Sequence, residues 1–228
     1  MILEVAPALR DLLAPNFPGV EVIARGSPLP PFDLHCALGT LPFVCGTTLA
    51  NIPPPVTLRA RDAKVDEWAD RLGSAQGRLR IGVAWAGNPQ HIADHRRSIP
   101  FERFAPLFDE PFDFHVLRKE PRPGADEIRR RFPNVHPWMK ELGGFEDTAA
   151  LIGEHDLVIT IDSAVAHLAA SMGKPVWLLL AHVPDFRWLL ERPVTPWYPT
   201  ARLFRQQSRD DWEGVLAEVR RELRHLPG

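Results

Sequence analysis

Continuously apolar segments of strand length alternate with helical segments from Arg78 onward, and this alternation limits the possible folds more than any other feature. Six segments predict strands: 78–86, 112–117, 134–138, 156–161, 174–180 and 201–206. Strands that are apolar on both faces and alternate with helices form parallel sheets that are covered on both sides. We therefore predict an α/β fold with a complete doubly wound, Rossmann-like parallel sheet over residues 78–208.

The segments between and after these strands have helical character. Helices are predicted at 99–109, 124–132, 145–155, 163–173 and 184–191. The chain closes with an amphipathic helix within residues 209–228. Its first turn carries Asp210 and Asp211, where the helix dipole favours negative charge.

The first 73 residues follow a less regular pattern. They predict strands at 1–5 and 20–25 around a helix at 7–13, a strand running into a helix at 34–46, and a helix at 62–73. Gly73 is a suitable helix C-cap, and residues 74–78 resemble a linker. Because a sheet that begins at residue 2 has so few strands, we interpret residues 1–73 as a partial N-terminal α/β domain.

Composition argues against several classes of function. The net charge is about −2 and no apolar run approaches the roughly 20 residues of a spanning helix, so nucleic acid and transmembrane segments are not expected. The start lacks a basic leader and the two cysteines form no disulfide framework, which favours a cytoplasmic location. His91 and His95 are spaced like a metal pair but have no obvious third ligand, so no metal is predicted.

The loops after the strands are the expected binding positions, because ligands of doubly wound sheets bind outside the carboxyl ends of the strands. These loops contain polar or small residues: Gly87, Asn88, Arg96, Arg97 and Ser98 after the first strand, Arg118, Lys119 and Glu120 after the second, Asp162 and Ser163 after the fourth, and Ala181 and His182 after the fifth.

Asp162 and Ser163 mark the most informative of these loops. The helix that begins near Ala164 leaves its first amides unpaired, and free amides together with the helix dipole favour a phosphate group. His167 could reach the same anion and Arg97 supplies full positive charge, so we predict a pyrophosphate site. The simpler alternatives are that Asp162 and Ser163 only cap the helix, that His167 is packed, and that "HRRS" is a solvated loop.

Three segments carry a resemblance to known families. "DSAVAHLAASMGKPVWLLL" resembles the signature of family 9 glycosyltransferases, the lipopolysaccharide heptosyltransferases. "VAWAGNPQHIADHRRSIPFERFAPL" and "PDFRWLLERPVTPWYPTARLFRQ" resemble glycosyltransferase domains that follow tetratricopeptide repeats in bacterial proteins. The resemblance covers nearly the whole chain and implies tetratricopeptide repeats upstream in a longer protein.

The resemblance implies a GT-B fold, in which a nucleotide-diphosphate sugar lies between two Rossmann-like domains and is transferred with inversion, without metal or cofactor. Residues 1–73 would be the acceptor-side domain. The first loop would contact the phosphates, and Asp162, Ser163 and His167 would hold the diphosphate region. Lys119 or a neighbouring residue would lie near the ribose, and the Gly143–Gly144 segment near the nucleobase. The donor-binding residues implied are Asn88, Arg97, Ser98, Lys119, Gly144, Asp162, Ser163, Ala164 and His167.

The chain departs from the family pattern in its first domain. The glycine-rich loop that follows the first strand in those families is absent from the sequence, so we assign no catalytic base. Asp33 and His35 are candidates, but an acidic loop residue beside prolines is usually a turn former. We expect a truncated first domain, an unknown acceptor (a glycan, a lipid-linked sugar or a protein), and little or no transfer by this chain.

Two further classes of function stay open at this stage. One is a non-catalytic module that binds a nucleotide sugar or mediates a protein interaction. The other is a dinucleotide-dependent oxidoreductase, which the sequence disfavours because no Gly-x-Gly-x-x-Gly follows a predicted strand.

Overall fold

The structure of the chain is a computed structural model that describes residues 1–75, 77–119 and 124–226. Gln76 of the predicted linker, Glu120 of the predicted second loop and the last two residues of the predicted C-terminal helix lie outside the described residues. Among the described residues, no helix has both the length and the apolar character needed to cross a membrane.

The N-terminal residues form a small parallel sheet with one helix. Strands β1 (Ile2–Val5) and β2 (Glu21–Ala24) pair in parallel, and helix α1 (Pro7–Asn16) connects them. These elements agree with the predicted strand, helix and strand. The strand predicted within residues 34–46 is wrong: this segment forms a 3₁₀ turn at Leu38–Thr40 and the short helix α2 (Leu41–Val44), because no neighbouring strand is available to pair with it.

Helix α3 (Asp62–Leu72) follows and ends at Gly73, as predicted. Gly73 has a φ of 62°, a conformation that favours glycine, and its amide donates to the carbonyl of Ala69.

A seven-stranded sheet forms the body of the protein. Its strands are β3 (Arg80–Ala84), β4 (Asp113–Val116), β5 (Val135–Pro137), β6 (Leu157–Ile161), β7 (Val176–Leu180), β8 (Val194–Thr195) and β9 (Tyr198–Arg205). The order is β5-β4-β3-β6-β7-β9-β8, and only the edge pair β8–β9 is antiparallel. Without β8, this is the 3-2-1-4-5-6 order of dinucleotide-binding folds, which confirms the prediction of a mostly parallel α/β sheet.

Six helices accompany this sheet within the described residues. They are α4 (Asp94–Arg97), α5 (Phe101–Phe104), α6 (Ala125–Arg131), α7 (Phe145–Gly153), α8 (Ala164–Ser171) and α9 (Trp212–Leu223). The helix predicted at 99–109 divides into α5 and a 3₁₀ turn over Ala105–Asp109. The helix predicted at 184–191 is wrong: only a 3₁₀ turn forms at Phe186–Trp188, since Leu189 and Glu191 adopt φ values of 52° and 55° that no right-handed helix allows.

The two faces of the large sheet support two separate hydrophobic cores. In β7, Trp177 and Leu179 pack into one core with α9, whereas Val176, Leu178 and Leu180 pack into the other with α7 and α8. This arrangement explains why the strands are apolar at every position rather than at alternate positions.

Helix α3 packs against the large sheet's helix α7, across the domain boundary predicted at residue 73. Trp68 is fully buried in this contact. Arg61, just before α3, forms two hydrogen bonds to Glu146, and these bonds lower the pKa of the Glu146 carboxyl. Lys64 forms a 2.9 Å ion pair with Asp147. Helix α1 also contributes, since its Leu12 packs in the same core as the α7 side chains. The N-terminal residues thus contact the body through both α1 and α3, and the predicted boundary stays a prediction.

Candidate functional site

A cavity of about 740 Å³ opens at the carboxyl ends of β3 and β6. These strands are neighbours at the point where the strand order reverses, which is where doubly wound sheets bind ligands. The wall is formed by α1, the loops after β3, β4 and β5, and the starts of α7 and α8. Its residues are Ala8, Ala86, Gly87, Asn88, Pro89, Gln90, Arg97, Leu117, Arg118, Lys119, Leu142, Gly143, Gly144, Phe145, Thr148, Ser163, Ala164 and Val165.

The charge on this wall has one sign. Arg97, Arg118 and Lys119 contribute three cationic side chains, and none of the described residues that line the cavity is Asp, Glu or His. A concave site with clustered positive charge raises the local concentration of anions. The cavity is therefore suited to a ligand with two or more negative charges.

Arg97 joins the two loops that meet at this edge of the sheet. Its Nη1 atom donates a 2.9 Å hydrogen bond to the backbone oxygen of Asp162, and its Nε atom lies 3.4 Å from Oδ1 of Asp94. The side chain is one-fifth exposed, so its guanidinium is held at the wall rather than extended into solvent. The structure thus brings together Arg97 and the Asp162–Ser163 turn, as the sequence predicts.

Helix α8 begins at the cavity without a side-chain cap. Ser163 occupies the N-cap position in an extended conformation, and its hydroxyl pairs with Thr160 Oγ1 at 3.2 Å instead of with a helix amide. Within the described part of the chain, the amides of Ala164 and Val165 have no hydrogen-bond partner. The alternative in which Ser163 and Asp162 only cap the helix is therefore wrong, and the uncapped amides lie beside Arg97.

His167 lies behind the cavity wall rather than on it. Its Nδ1 atom is 3.0 Å from the Tyr198 hydroxyl, and its ring stacks on Trp188 with centroids 5.2 Å apart. Its Nε2 atom is 3.9 Å from Oδ1 of Asp162. Burial lowers the pKa of His167, which favours the neutral ring at pH 7. Neither His167 nor the Asp162 side chain lines the cavity, so this geometry supports the packed alternative for the histidine.

The remaining predicted residues occupy different positions. Asn88 and Gly144 line the cavity, as does Lys119, whose Nζ atom is 3.5 Å from the Gly143 carbonyl. Ser98 does not line it; its Oγ atom accepts a 2.9 Å hydrogen bond from the Gly87 amide and so holds the loop in place. Asp33 and His35, the first-domain candidates for a base, lie on an exposed segment away from this wall.

Arg118, which follows the second predicted strand, lines the cavity and donates a 2.9 Å hydrogen bond to the Gly87 carbonyl. Sequence reasoning missed Phe145 and Thr148, which project onto the wall from the first turns of α7. The available signal for these two residues was their position after the carboxyl end of β5. The described residues contain no group of three or more His, Cys, Asp or Glu side chains that could hold a metal ion.

Gly87 offers a test of the Arg97 position. A Cβ atom at this residue would come within 2.5 Å of Asp94 Oδ1 and 2.6 Å of Arg97 Nη2, both at the ends of side chains that can move. Gly87→Ala is therefore expected to displace the guanidinium and weaken nucleoside diphosphate binding roughly fivefold, about 1 kcal/mol. The free energy of unfolding should change little. Calorimetric titration measures the affinity, with Gly153→Ala as the control because a Cβ there meets nothing within 4 Å.

Sequence comparisons find similarity to known proteins. Residues 125–206, about a third of the chain, match the model of glycosyltransferase family 9 (heptosyltransferase). Protein FlbA from Caulobacter vibrioides is 26% identical over 248 residues, covering 97% of this chain and 40% of FlbA.

Comparison with solved structures finds a heptosyltransferase and a glycosyl transferase. ADP-heptose lipopolysaccharide heptosyltransferase II from E. coli superposes with a TM-score of 0.50 at 18% identity, over 75% of this chain and 55% of that one. A family 9 glycosyl transferase from Veillonella parvula gives a TM-score of 0.44 at 16% identity, over 71% of this chain and 46% of that one. The chain thus spans less than half of FlbA and about half of the heptosyltransferase.

The fold is that of a glycosyltransferase family 9-like α/β protein. More specifically, the segment that matches the family 9 (heptosyltransferase) model, residues 125–206, includes the start of α8 and the Gly143–Phe145 segment of the cavity wall.

Proposed function

We propose that this chain binds a nucleotide-diphosphate sugar in the cavity at β3 and β6, as the donor side of an inverting, metal-independent glycosyltransferase. The observation that carries this proposal is the pairing of Arg97 with the uncapped amides of Ala164 and Val165 at one wall. Full positive charge beside free helix amides is the arrangement that recognises a diphosphate.

The other end of the cavity supports a nucleoside. Its wall there is apolar or without side chains, with Leu117, Leu142, Phe145 and the Gly143–Gly144 backbone. A flat base fits against such a surface, and Lys119 lies near enough to meet the ribose or its neighbouring phosphate. The donor would therefore extend from Gly144 towards Ser163.

Transfer would follow a simple course. A base removes the proton of an acceptor hydroxyl, the oxygen attacks the anomeric carbon, and the bond from that carbon to the diphosphate oxygen breaks on the opposite face. The nucleoside diphosphate leaves with the electron pair. Arg97 and the α8 amides would stabilise the charge that develops on it, the role that preorganised donors fill elsewhere.

A second candidate, donor binding without transfer, is favoured by a specific observation. Among the described residues that line the cavity, none has a carboxylate or an imidazole that could act as the base. The base, if one acts on this donor, comes from residues outside this wall. The acceptor, the cytoplasmic location and the association with tetratricopeptide repeats stay predictions.

Ligand-dependent thermal unfolding tests the binding step. Uridine, adenosine and guanosine diphosphates are each compared with the matching nucleoside at equal concentration. At about 100 times the dissociation constant, one diphosphate is expected to add about 2.7 kcal/mol to the free energy of unfolding, whereas the nucleosides add much less. Failure of all three diphosphates to raise the melting temperature would contradict the proposal.

Release of nucleoside diphosphate separates the two candidates. The nucleotide sugar that corresponds to the best diphosphate is incubated with the protein and with mixed glycan and protein acceptors. Turnover supports the transferase, and tight binding without turnover supports the donor-binding module.

A further inference from the structure

A long segment with a single acidic residue and no lysine or arginine follows the N-terminal sheet. Residues 26–57, which we call the apolar arm, connect β2 to the chain before α3 and contain only a 3₁₀ turn and α2. Asp33 is its single acidic residue, and it contains no lysine or arginine. In a chain whose charged fraction is 25%, such a long stretch with one charge is unusual.

The arm exposes its hydrophobic side chains. No residue of the arm is buried, and Leu34 and Phe43 are 90% and 87% exposed. Nine of the fifteen large exposed hydrophobic side chains of the described residues lie on it. They are Leu29, Phe32, Leu34, Leu38, Leu41, Phe43, Val44, Leu49 and Val56. Soluble proteins seldom leave a concentration of apolar surface like this uncovered.

We propose that a second copy of this chain covers the arm, so that two arms pack against each other about a two-fold axis. In a two-fold interface the same patch meets itself, so any charge near the axis faces its own copy. An apolar segment whose single acidic residue is Asp33 limits this repulsion to one position and is otherwise complementary to itself. Large exposed side chains such as these nine are the kind of surface from which a standard interface, about 800 Å² per partner, is built.

The charge of the arm argues against other occupants. An anionic membrane attracts lysine and arginine, and residues 26–57 contain neither. An acidic or basic protein surface would be matched by opposite charges on the arm, and Asp33 alone cannot supply them. The apolar arm of a second copy of this chain offers a matching surface, because it is also apolar and nearly without charge.

The two cysteines provide a native reporter. Cys36 and Cys45 both lie on the arm and both are exposed in the single chain. In the dimer they are covered, so their reaction with a thiol reagent should slow as the protein concentration rises. A reductant keeps them from forming a disulfide before the assay.

The decisive experiment measures mass by sedimentation velocity over a range of concentrations. The chain is expected to be a dimer at about 100 µM and to dissociate on dilution. Replacing Leu34 and Phe43 together with serine should raise the dimer dissociation constant about tenfold or more. Because both side chains are exposed, the variant should fold normally.

Phe186→Ser is the matched control. Phe186 is 72% exposed but lies outside the arm, so its replacement should leave the dimer unchanged. A monomer at all concentrations, equal weakening by both variants, or binding of the arm to neutral lipid vesicles in place of dimer formation would overturn the proposal. This test does not depend on nucleotide binding.

Discussion

Replacing Arg97 with alanine is expected to weaken the binding of a nucleoside diphosphate by about 10- to 100-fold, because hydrogen bonds to a charged group contribute about 1.5–3 kcal/mol. Arg97 is the cation that also donates to the Asp162 carbonyl, so its loss removes charge from the wall and a link between the loops after β3 and β6. Isothermal titration calorimetry with the preferred diphosphate measures the effect.

Two variants make this result specific. Arg97→Lys keeps the charge but cannot maintain the forked geometry, so its affinity should fall between those of the wild type and Arg97→Ala. Arg96→Ala removes the neighbouring exposed arginine, which does not line the cavity, and should change the affinity by less than about twofold. Equal losses in the Arg96 and Arg97 variants would mean that general charge, rather than this site, attracts the ligand.

Acid is expected to destabilise the fold well before its carboxylates titrate, because it contains two buried histidines that do not line the candidate cavity. His115 in β4 and His155 after α7 are 4% and 2% exposed, with ring centroids 4.7 Å apart. Burial lowers the pKa of His115 to about 2 and that of His155 to about 3. The Trp138 indole also donates to His115 Nδ1 at 3.1 Å, which requires that nitrogen to be unprotonated.

Proton linkage gives the direction in which pH changes the free energy of unfolding. Both folded-state pKa values lie below the usual value of 6.5, so the unfolded chain binds protons that the folded chain does not. The contribution of the two neutral histidines to the free energy of unfolding is therefore fully present above pH 6.5. It is lost as the pH falls from there towards the folded-state pKa values. In this window each histidine lowers the free energy of unfolding by about 1.4 kcal/mol per pH unit. Urea unfolding at a series of pH values from about 7.5 to 5 measures this dependence of the free energy on pH.

Histidine variants identify the source of the slope. His155→Asn retains a donor near the Leu151 carbonyl that His155 Nδ1 contacts, but it cannot titrate. This variant should be less stable at neutral pH, and its slope should be smaller by about one proton. His225→Gln alters an exposed histidine and should leave the slope unchanged. An unchanged slope in His155→Asn would show that this ring is not a source of the acid sensitivity.

The sequence predicted the parts of the structure that repeat a local pattern. Strands apolar on both faces could only belong to a covered parallel sheet, and the carboxyl ends of such strands meet at one edge. This geometry explains why Arg97 and Ser163, 66 positions apart in the sequence, were expected together and do line one cavity.

The predictions that were wrong share a physical cause: the local structure at those positions depends on contacts with residues that are distant in the sequence. Residues 184–191 have a helical pattern, but Trp188 is drawn into the core beside His167 and the chain after it turns through positive φ. His167 pairs with Tyr198, 31 residues away, and no spacing in the sequence reveals that hydroxyl. The start of α8 is uncapped because the Ser163 hydroxyl pairs with Thr160 Oγ1 instead of accepting from a helix amide.

Asp147 links helix α3 to the Gly143 side of the cavity. One of its carboxylate oxygens accepts a 3.0 Å hydrogen bond from the Gly143 amide, and the other pairs with Lys64 near the start of α3. A tilt of α3 would therefore pull on the carboxylate and, through it, on the glycine segment that forms one wall. A movement of α3 can in this way widen or narrow the cavity without any contact between α3 and the ligand.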